Sequence, residues 1–329
     1  MNLLENADYL PVQLDPLGQR VLFVRLDAAQ RVQASFLDER VLSGVTDGAW
    51  VPWQVVIAAG AGRSGAAPAH AIFHIGHCGS TLLSRVLDAA PGLQALREPL
   101  PLRTLAEAWE TRGDIASRFG ERTAAAMLDA LWAFWSRPTA GGRQVVIKAT
   151  SSCNGLVAPV LQRHPRTRVV LLDMPLRPYL AAMLKSASSL QDGVAAAAGR
   201  LRHLHRAGFA QVGALHAMSP LQQCAMGWWA EQVRFDALAQ SHGPAVLRLG
   251  FDALLDSRTP ALRSIAAHLG LGGDAVEHML GSAAWTRYAK APEHGYGQAD
   301  RAHDLALSEH RYAGEIESAI RWLDGVRAA

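Results

Sequence analysis

The residues best suited to chemistry form a short run of small and polar side chains at positions 76–81, with the sequence GHCGST. An apolar segment, residues 71–75, precedes the run, and from Ser80 the apolar residues recur at helical spacing. The first turn of a helix has backbone N–H groups without an intrahelical partner, and glycines let an anion approach them closely. The pattern predicts a phosphate-like anion site formed by Gly76, His77, Cys78, Gly79, Ser80 and Thr81. The alternative interpretation is an ordinary strand-to-helix turn whose small residues only permit close packing.

This loop differs from the common ATP-binding loop. A Walker A sequence reads GxxxxGK[ST], and residues 76–81 have neither its length nor its lysine. The difference disfavours ATP hydrolysis with bound magnesium.

Two ionisable residues each close a predicted strand further along the chain, Glu98 and Lys148. Open parallel sheets bind ligands at the carboxyl ends of their strands. Lysine is rare in this chain, with Lys148, Lys185 and Lys290 the only three among 32 lysines and arginines, so each retained lysine is informative. Glu98 is suited either to accept a proton or to act as the N-terminal cap of the helix that follows Pro99.

The elements that must position these residues alternate along the chain. Five short apolar strands are predicted at residues 71–75, in a segment closed by Glu98, and at residues 144–148, 168–172 and 245–249. Amphipathic helices separate them, for example at residues 124–135. This order predicts an α/β fold with a mainly parallel sheet and helices on both faces.

With these elements in order, residues 71–99 resemble the sulfotransferase family. In that family the loop for the 5′-phosphosulfate of 3′-phosphoadenosine 5′-phosphosulfate (PAPS) reads PRSGTT or PKSGTT, followed by LL, a helix ending LDxxP and a strand ending EP. Here LDAAP ends the helix and Glu98-Pro99 ends the strand. Residues 245–271 give a second match, a strand followed by FDALL and a helix ending HLGL. The chain resembles a divergent, bacterial-type member.

The resemblance implies an enzyme with a P-loop-like phosphosulfate site that moves a sulfuryl group from PAPS to a hydroxyl or amine acceptor without a metal. It implies that the loop binds the phosphosulfate, that His77 or Lys148 offsets charge on the bridging oxygen, and that Glu98 takes the acceptor proton. It also implies that a basic loop containing Lys290 closes over the nucleotide, the alternative being an exposed, solvated basic loop. Acceptors of such enzymes are small molecules, carbohydrates or peptides.

The chain departs from the family pattern at the cations. His77 stands where the family usually has Lys or Arg, so the loop cation is either a protonated histidine or comes from elsewhere. The family's Arg and Ser for the 3′-phosphate are replaced by Asp173 and Ala181. We expect Arg177 and Ser186 to substitute, unless the 3′-phosphate is bound differently or the donor is not PAPS.

Composition narrows the partners and the compartment. The formal charge is +3 and no Lys/Arg run reaches five residues, which gives little support to a nucleic-acid or membrane-surface role. The three cysteines are far apart, which argues against disulfides and CxxC metal sites. His203, His205 and His216 lack further ligands at metal-binding spacing. With neither a signal peptide nor a membrane span in the sequence, we expect a cytoplasmic protein.

Domain organisation is predicted as an N-terminal extension with a strand and a helix, residues 1–65, followed by a sulfotransferase-like domain, residues 66–329. Residues 58–69, rich in Gly and Ala, are interpreted as a linker. Residues 187–218 are interpreted as a lid insertion that selects the acceptor. Two other functions stay open, a non-catalytic nucleotide-binding or interaction protein on the same fold and a P-loop kinase.

Overall fold

The computed structural model describes residues 3–43, 47–63, 68–138, 143–291 and 293–329. Three antiparallel strands, β1 (Tyr9–Asp15), β2 (Arg20–Arg25) and β3 (Gly48–Pro52), form a small N-terminal sheet in the order β1-β2-β3. Helix α1 (Ala28–Gln33) is capped by Asp27, whose side chain accepts a hydrogen bond from the N–H of Gln30. The extension therefore contains two strands more than the sequence pattern predicts.

The segment interpreted as a linker begins inside a helix. Helix α2 (Trp53–Ala61) packs so closely on α5 (Glu121–Trp135) that a Cβ on Gly60 would lie 2.5 Å from the Cα of Ala130. Gly60 is therefore a packing residue of a helix. Residues 64–67, the rest of the glycine-rich stretch, lie outside the described residues.

The second sheet has five parallel strands, as the alternating pattern predicts. They are β4 (His70–His74), β5 (Leu93–Arg97), β6 (Gln144–Lys148), β7 (Val169–Asp173) and β8 (Val246–Gly250), in the order β5-β6-β4-β7-β8. Every residue of β4 and β5 is buried, because helices cover both faces. Strand β4 lies at the centre, so the loop after it opens at the middle of the carboxyl edge.

The remaining helices connect and cover these strands. They are α3 (Ser80–Leu87), α4 (Leu100–Thr111), α6 (Val157–Arg163), α7 (Leu176–Met183), α8 (Ala187–Ala195), α9 (Ala197–Arg206), α10 (Pro220–His242), α11 (Phe251–Asp256), α12 (Arg258–Leu269), α13 (Ala275–Leu280), α14 (Gln298–Arg311) and α15 (Ala313–Ala328). The predicted insertion, residues 187–218, thus holds two helices, α8 and α9.

The N-terminal extension shares the core of the main domain. Arg137, just after α5, donates hydrogen bonds to the carbonyl oxygens of Leu4 and Asn6 at 2.8 and 3.0 Å. The indole N–H of Trp135 donates to the carbonyl of Pro11 at 3.3 Å. A domain boundary at residues 65 and 66 stays a prediction. Within the described ranges, no helix is both long and apolar enough to cross a bilayer.

Candidate active site

The loop between β4 and α3 has an unusual backbone. Gly76, His77 and Gly79 have φ values of +93°, +52° and +75°, all in the left-handed region. Gly79 is the N-cap of α3, whose first hydrogen bond runs from the N–H of Leu83 to the carbonyl of Gly79 at 3.0 Å. The N–H groups of residues 80–82 therefore precede the intrahelical bonds, and Ser80 and Thr81 line a cleft. The structure thus has the helix N-terminus that the anion-site prediction requires, and anion binding itself stays a prediction.

Buried partners hold this loop in shape. His74, the last residue of β4, accepts a hydrogen bond at Nδ1 from the N–H of Gly76 at 3.0 Å and donates from Nε2 to the carbonyl of Ala149 at 2.9 Å. Burial and the charge of Lys148 hold the pKa of His74 well below its usual value, so the ring is neutral. A Cβ on Gly79 would lie 2.0 Å from the Phe251 ring, so only glycine fits there.

Cys78 belongs to the loop by its backbone alone. Its side chain is buried beneath the loop, where the thiol contacts the carbonyl of Leu172 at 3.4 Å. Burial raises the pKa of Cys78 to about 12, so the sulfur stays a thiol. Its side chain does not line the cleft.

The cleft above the loop has a volume of about 1390 Å³ and lies at the carboxyl edge of the parallel sheet. Its walls come from α4, from the turn at Ser151–Leu156, from α8 and α9 of the insertion, and from the segment between α13 and α14. One cavity thus joins the loop, the predicted lid and the predicted C-terminal basic loop. It brings together most predicted site residues, namely Gly76, His77, Gly79, Ser80, Thr81, Glu98, Lys148, Ser186 and Lys290.

Glu98 and Lys148 form an ion pair at the cleft floor. The Lys148 side chain is 2% exposed and that of Glu98 19% exposed, so only the carboxylate is open to the cleft. Burial lowers the pKa of Lys148, and the charge of Glu98 opposes that shift. The cap interpretation of Glu98 has no support, because the N-cap of α4 is Pro99 and no side chain caps it.

The backbone of Glu98 is strained, with φ at +51°. Its N–H donates to the carbonyl of Lys148 at 2.6 Å. Leu37 of the N-terminal extension binds the backbone on both sides of Glu98. Its N–H donates to the carbonyl of Arg97 at 2.7 Å, and its carbonyl accepts from the N–H of Leu100 at 3.0 Å. A non-glycine residue in this region costs about 1–3 kcal/mol and persists only where surrounding contacts fix it. The N-terminal extension therefore helps to position Glu98.

His77 is not the cation that one of the two sequence interpretations requires. Burial and the positive charges of Lys290, Lys148 and Arg200 lower the pKa of His77 to about 4. The ring is therefore neutral at pH 7, and the loop itself contributes no side-chain charge.

All three lysines of the chain line this one cleft. Lys185 contacts Asp304 at 2.5 Å and the Tyr296 hydroxyl at 3.2 Å. Lys290 belongs to the C-terminal loop, which Arg85 of α3 anchors by donating to the carbonyl of Ala289 at 2.6 Å. The loop is therefore attached to the helix that follows the anion site.

The structure separates Arg177 and Ser186. Ser186 lines the cleft and caps α8, its hydroxyl accepting from the N–H of Ser189 at 3.1 Å. Arg177 does not line the cleft, because its guanidinium lies on the outer surface and pairs with Glu317 of α15 at 2.5 Å. Asp173, at the family's arginine position, is bound to Arg248 of β8 at 2.7 Å.

Several cleft residues escaped the sequence interpretation. Phe36 and Arg40 come from the N-terminal extension, and Tyr179 and Arg200 come from α7 and α9. Phe36 reads as core and is 8% exposed, and an isolated arginine in an alanine-rich helix reads as solvated. No local signal distinguishes them. In the part of the chain that the structure describes, no group of three His, Cys, Asp or Glu side chains could hold a metal ion.

Buried histidines predict a pH dependence of stability. Burial lowers the pKa of His70, His77 and His203 to about 4 from 6.5, and lowers that of His74 as well. Between pH 4 and pH 6.5 the unfolded chain binds more protons than the folded chain does. The free energy of unfolding therefore falls as the pH decreases from 6.5 to 4. Urea titrations at pH 7, 6 and 5 measure this loss. His70→Gln should make the dependence shallower, and an unchanged slope would contradict the assignment.

Comparisons with known proteins place the chain among distant structures only. No protein-family model matches the sequence, and no curated protein matches it. A sulfotransferase domain from a Synechococcus olefin synthase is 15% identical, covering 75% of this chain and 94% of that one at a TM-score of 0.40. Sulfotransferase STF1 from Mycobacterium tuberculosis is 14% identical, with 80% and 81% covered and a TM-score of 0.40. A sulfotransferase from Alicyclobacillus acidocaldarius is 16% identical, with 76% and 96% covered and a TM-score of 0.36. All three of these neighbours are sulfotransferases, each less than 25% identical to this chain.

Proposed function

We propose that the chain is a sulfotransferase that moves a sulfuryl group from PAPS to a hydroxyl or amine acceptor. One observation carries the proposal. A single cleft is lined both by the glycine-bracketed N-terminus of α3 and by Glu98, whose backbone is strained. An anion site next to a proton acceptor is what transfer from a phosphosulfate to a hydroxyl or amine requires.

The loop residues fit the donor's phosphosulfate. Gly76 and Gly79 supply the left-handed backbone turn that leads into α3, and Ser80 and Thr81 add hydroxyl groups at the cleft surface. Backbone donors fixed before the reaction stabilise developing charge without reorganisation. These residues would hold the phosphosulfate oxygens.

The reaction needs one bond made and one broken at sulfur. The acceptor oxygen or nitrogen attacks sulfur, the bond from sulfur to the bridging phosphate oxygen breaks, and 3′,5′-bisphosphoadenosine leaves with that electron pair. Glu98 takes the acceptor proton, and Lys148, whose own charge Glu98 neutralises, holds that carboxylate in place. By analogy with phosphoryl transfer, the protein mainly positions the reactants and neutralises charge.

Binding of the 3′-phosphate must involve residues other than Arg177. Ser186 and Lys290 both line the cleft, whereas Arg177 lies outside it. We therefore assign binding of the 3′-phosphate to Ser186 and Lys290. Lys290→Met should weaken binding of 3′,5′-bisphosphoadenosine by about 10-fold or more, the effect of one charge-assisted hydrogen bond. Arg177→Ala is the matched control and should leave binding nearly unchanged. Isothermal titration of both variants decides, and a larger effect at Arg177 would contradict the assignment.

Thermal shift tests the proposal against the kinase alternative. We expect 3′,5′-bisphosphoadenosine to raise the melting temperature equally with and without EDTA, because the loop has an anion site and lacks the P-loop lysine. A shift that requires both ATP and magnesium, with no response to the bisphosphate, would replace the proposal with a kinase.

A non-catalytic nucleotide-binding protein is the second candidate. Two observations favour it: Glu98 is already bound to Lys148, and His77 is neutral. Such a protein would bind 3′,5′-bisphosphoadenosine and PAPS alike and leave PAPS intact. Release of 3′,5′-bisphosphoadenosine from PAPS distinguishes the two candidates.

A further inference from the structure

A buried ion cluster lies between the insertion and the phosphate loop. Arg200 of α9 is 5% exposed and donates from Nε to one carboxylate oxygen of Glu231 on α10 at 3.1 Å. Arg234 donates from Nε to the other oxygen at 3.2 Å. Glu231 is 3% exposed, so this carboxylate is fully withdrawn from water and shared by two guanidinium groups.

The cluster is connected to the loop by one amide. Asn154 donates from Nδ2 both to Glu231 at 2.9 Å and to the carbonyl of His74 at 3.0 Å. His74 is the residue whose ring accepts from the N–H of Gly76. The position of Arg200 is therefore fixed relative to the loop through a continuous set of buried hydrogen bonds.

The cluster carries excess positive charge. Arg200 and Arg234 share the single carboxylate of Glu231. These three side chains therefore carry one net positive charge. An unbalanced buried charge is costly, and a bound anion would remove that cost.

Arg200 and Arg234 both line the cleft, and Arg200 is the one whose charge acts on His77 of the loop. Arg200 also contacts the hydroxyl of Tyr179. Space for its side chain is made by Gly227 of α10, where a Cβ would lie 2.9 Å from the Cδ of Arg200. Its positive charge reaches the loop, because it is among those that lower the pKa of His77.

The loop lacks the cation that sulfuryl transfer needs beside the bridging oxygen. His77 is neutral, and the charge of Lys148 is already neutralised by Glu98. We propose that Arg200 supplies this missing charge from the insertion and acts on the sulfuryl group and bridging oxygen of the donor. This inference rests on the proposed function. It gives helix α9 a role in the chemistry beyond covering the acceptor.

Variants at Arg200 test the proposal through the conversion of PAPS to 3′,5′-bisphosphoadenosine. Arg200→Gln should lower the conversion rate by at least 100-fold while weakening binding of the bisphosphate by less than about 10-fold, since the charge acts mainly on the group that is transferred. Arg206→Gln is the matched control, because Arg206 lies on the same helix with its side chain 62% exposed and away from the cleft. Its rate should stay close to wild type.

Restoring charge in the loop separates catalysis from folding. Adding His77→Lys to Arg200→Gln should recover at least 10-fold of the lost rate, whereas a merely structural role for Arg200 predicts no recovery. If Arg200→Gln fails to fold, Arg200→Lys takes its place in the test. Arg200→Lys keeps the positive charge and should retain more than about half of the wild-type rate of PAPS conversion. If His77→Lys gives no recovery, or if the rate is unchanged in Arg200→Gln, this inference is overturned while the proposed function stands.

A spectroscopic measurement is independent of any activity. Removing a neighbouring positive charge raises a histidine pKa, so NMR titration should show the pKa of His77 higher in Arg200→Gln than in wild type, with Arg206→Gln unchanged. An unchanged value in Arg200→Gln would overturn the inference even if the enzyme is active. A wild-type chain that leaves PAPS intact would instead overturn the proposed function, and this inference with it.

Discussion

Replacing Glu98 with glutamine is expected to slow sulfuryl transfer by about 10² to 10⁴-fold, the usual effect of losing a general base. The amide has the same shape and can still accept a hydrogen bond from Lys148, but it cannot take the acceptor proton. Binding of 3′,5′-bisphosphoadenosine should remain nearly unchanged, because the loop of residues 76–81 is untouched. Radiolabelled PAPS measures the rate, and isothermal titration measures binding.

The buried lysine supplies the control for this variant. If Glu98 served only as the counter-ion of Lys148, the double variant Glu98→Gln/Lys148→Met would regain what the single variant loses, because no buried charge would remain unpaired. The proposed role as a base predicts that the double variant stays inactive although its stability recovers. A double variant with restored transfer would reduce Glu98 to a structural partner.

Gly79→Ala should both destabilise the fold and abolish anion binding. A residue with a Cβ at φ +75° is strained by about 1–2 kcal/mol. The added Cβ would also lie 2.0 Å from the ring of Phe251, and such overpacking typically adds about 1–3 kcal/mol. Because either the Phe251 ring or the loop backbone must shift to relieve this clash, the N–H groups of the loop would lose their arrangement. Urea unfolding and titration with 3′,5′-bisphosphoadenosine measure the two effects.

Gly92 offers a matched control for this substitution. It has the same φ of +75°, and a Cβ there would have no neighbour within 4 Å. Gly92→Ala should therefore show the backbone cost alone and keep nucleotide binding. Phe251→Leu combined with Gly79→Ala should recover part of the lost stability. Equal losses in the two alanine variants would contradict the packing explanation.

Sequence patterns were sufficient for the parallel sheet and for the loop. The strand Gln144–Lys148 is predicted residue for residue, because a short run of three β-branched residues between polar ends has few alternatives. Ser219 and Pro220, a typical N-cap and N1 pair, likewise predict the start of α10. Local signals of this kind are strong where one element is buried or capped by its own neighbours in sequence.

Long-range contacts decided what the sequence could not predict. The closeness of Glu98 and Lys148 depends on β5 pairing with β6, fifty residues apart in the chain. Arg177 is close in sequence to the expected phosphate position, yet the rotation of α7 directs it toward Glu317. Strands β1 and β3 were missed because their partners are other strands of the extension, and Arg200 because its partner Glu231 lies on another helix.

The most direct test of the central claim is the fate of the sulfur–oxygen bond in PAPS. The chain is incubated with ³⁵S-labelled PAPS, EDTA and a mixed pool of small hydroxyl and amine compounds, and 3′,5′-bisphosphoadenosine and the label are followed by chromatography. We predict that wild type releases the bisphosphate and moves the label to an acceptor, and that Glu98→Gln does so at least 100-fold more slowly. Tight binding of 3′,5′-bisphosphoadenosine with PAPS left intact across the whole pool would contradict the account.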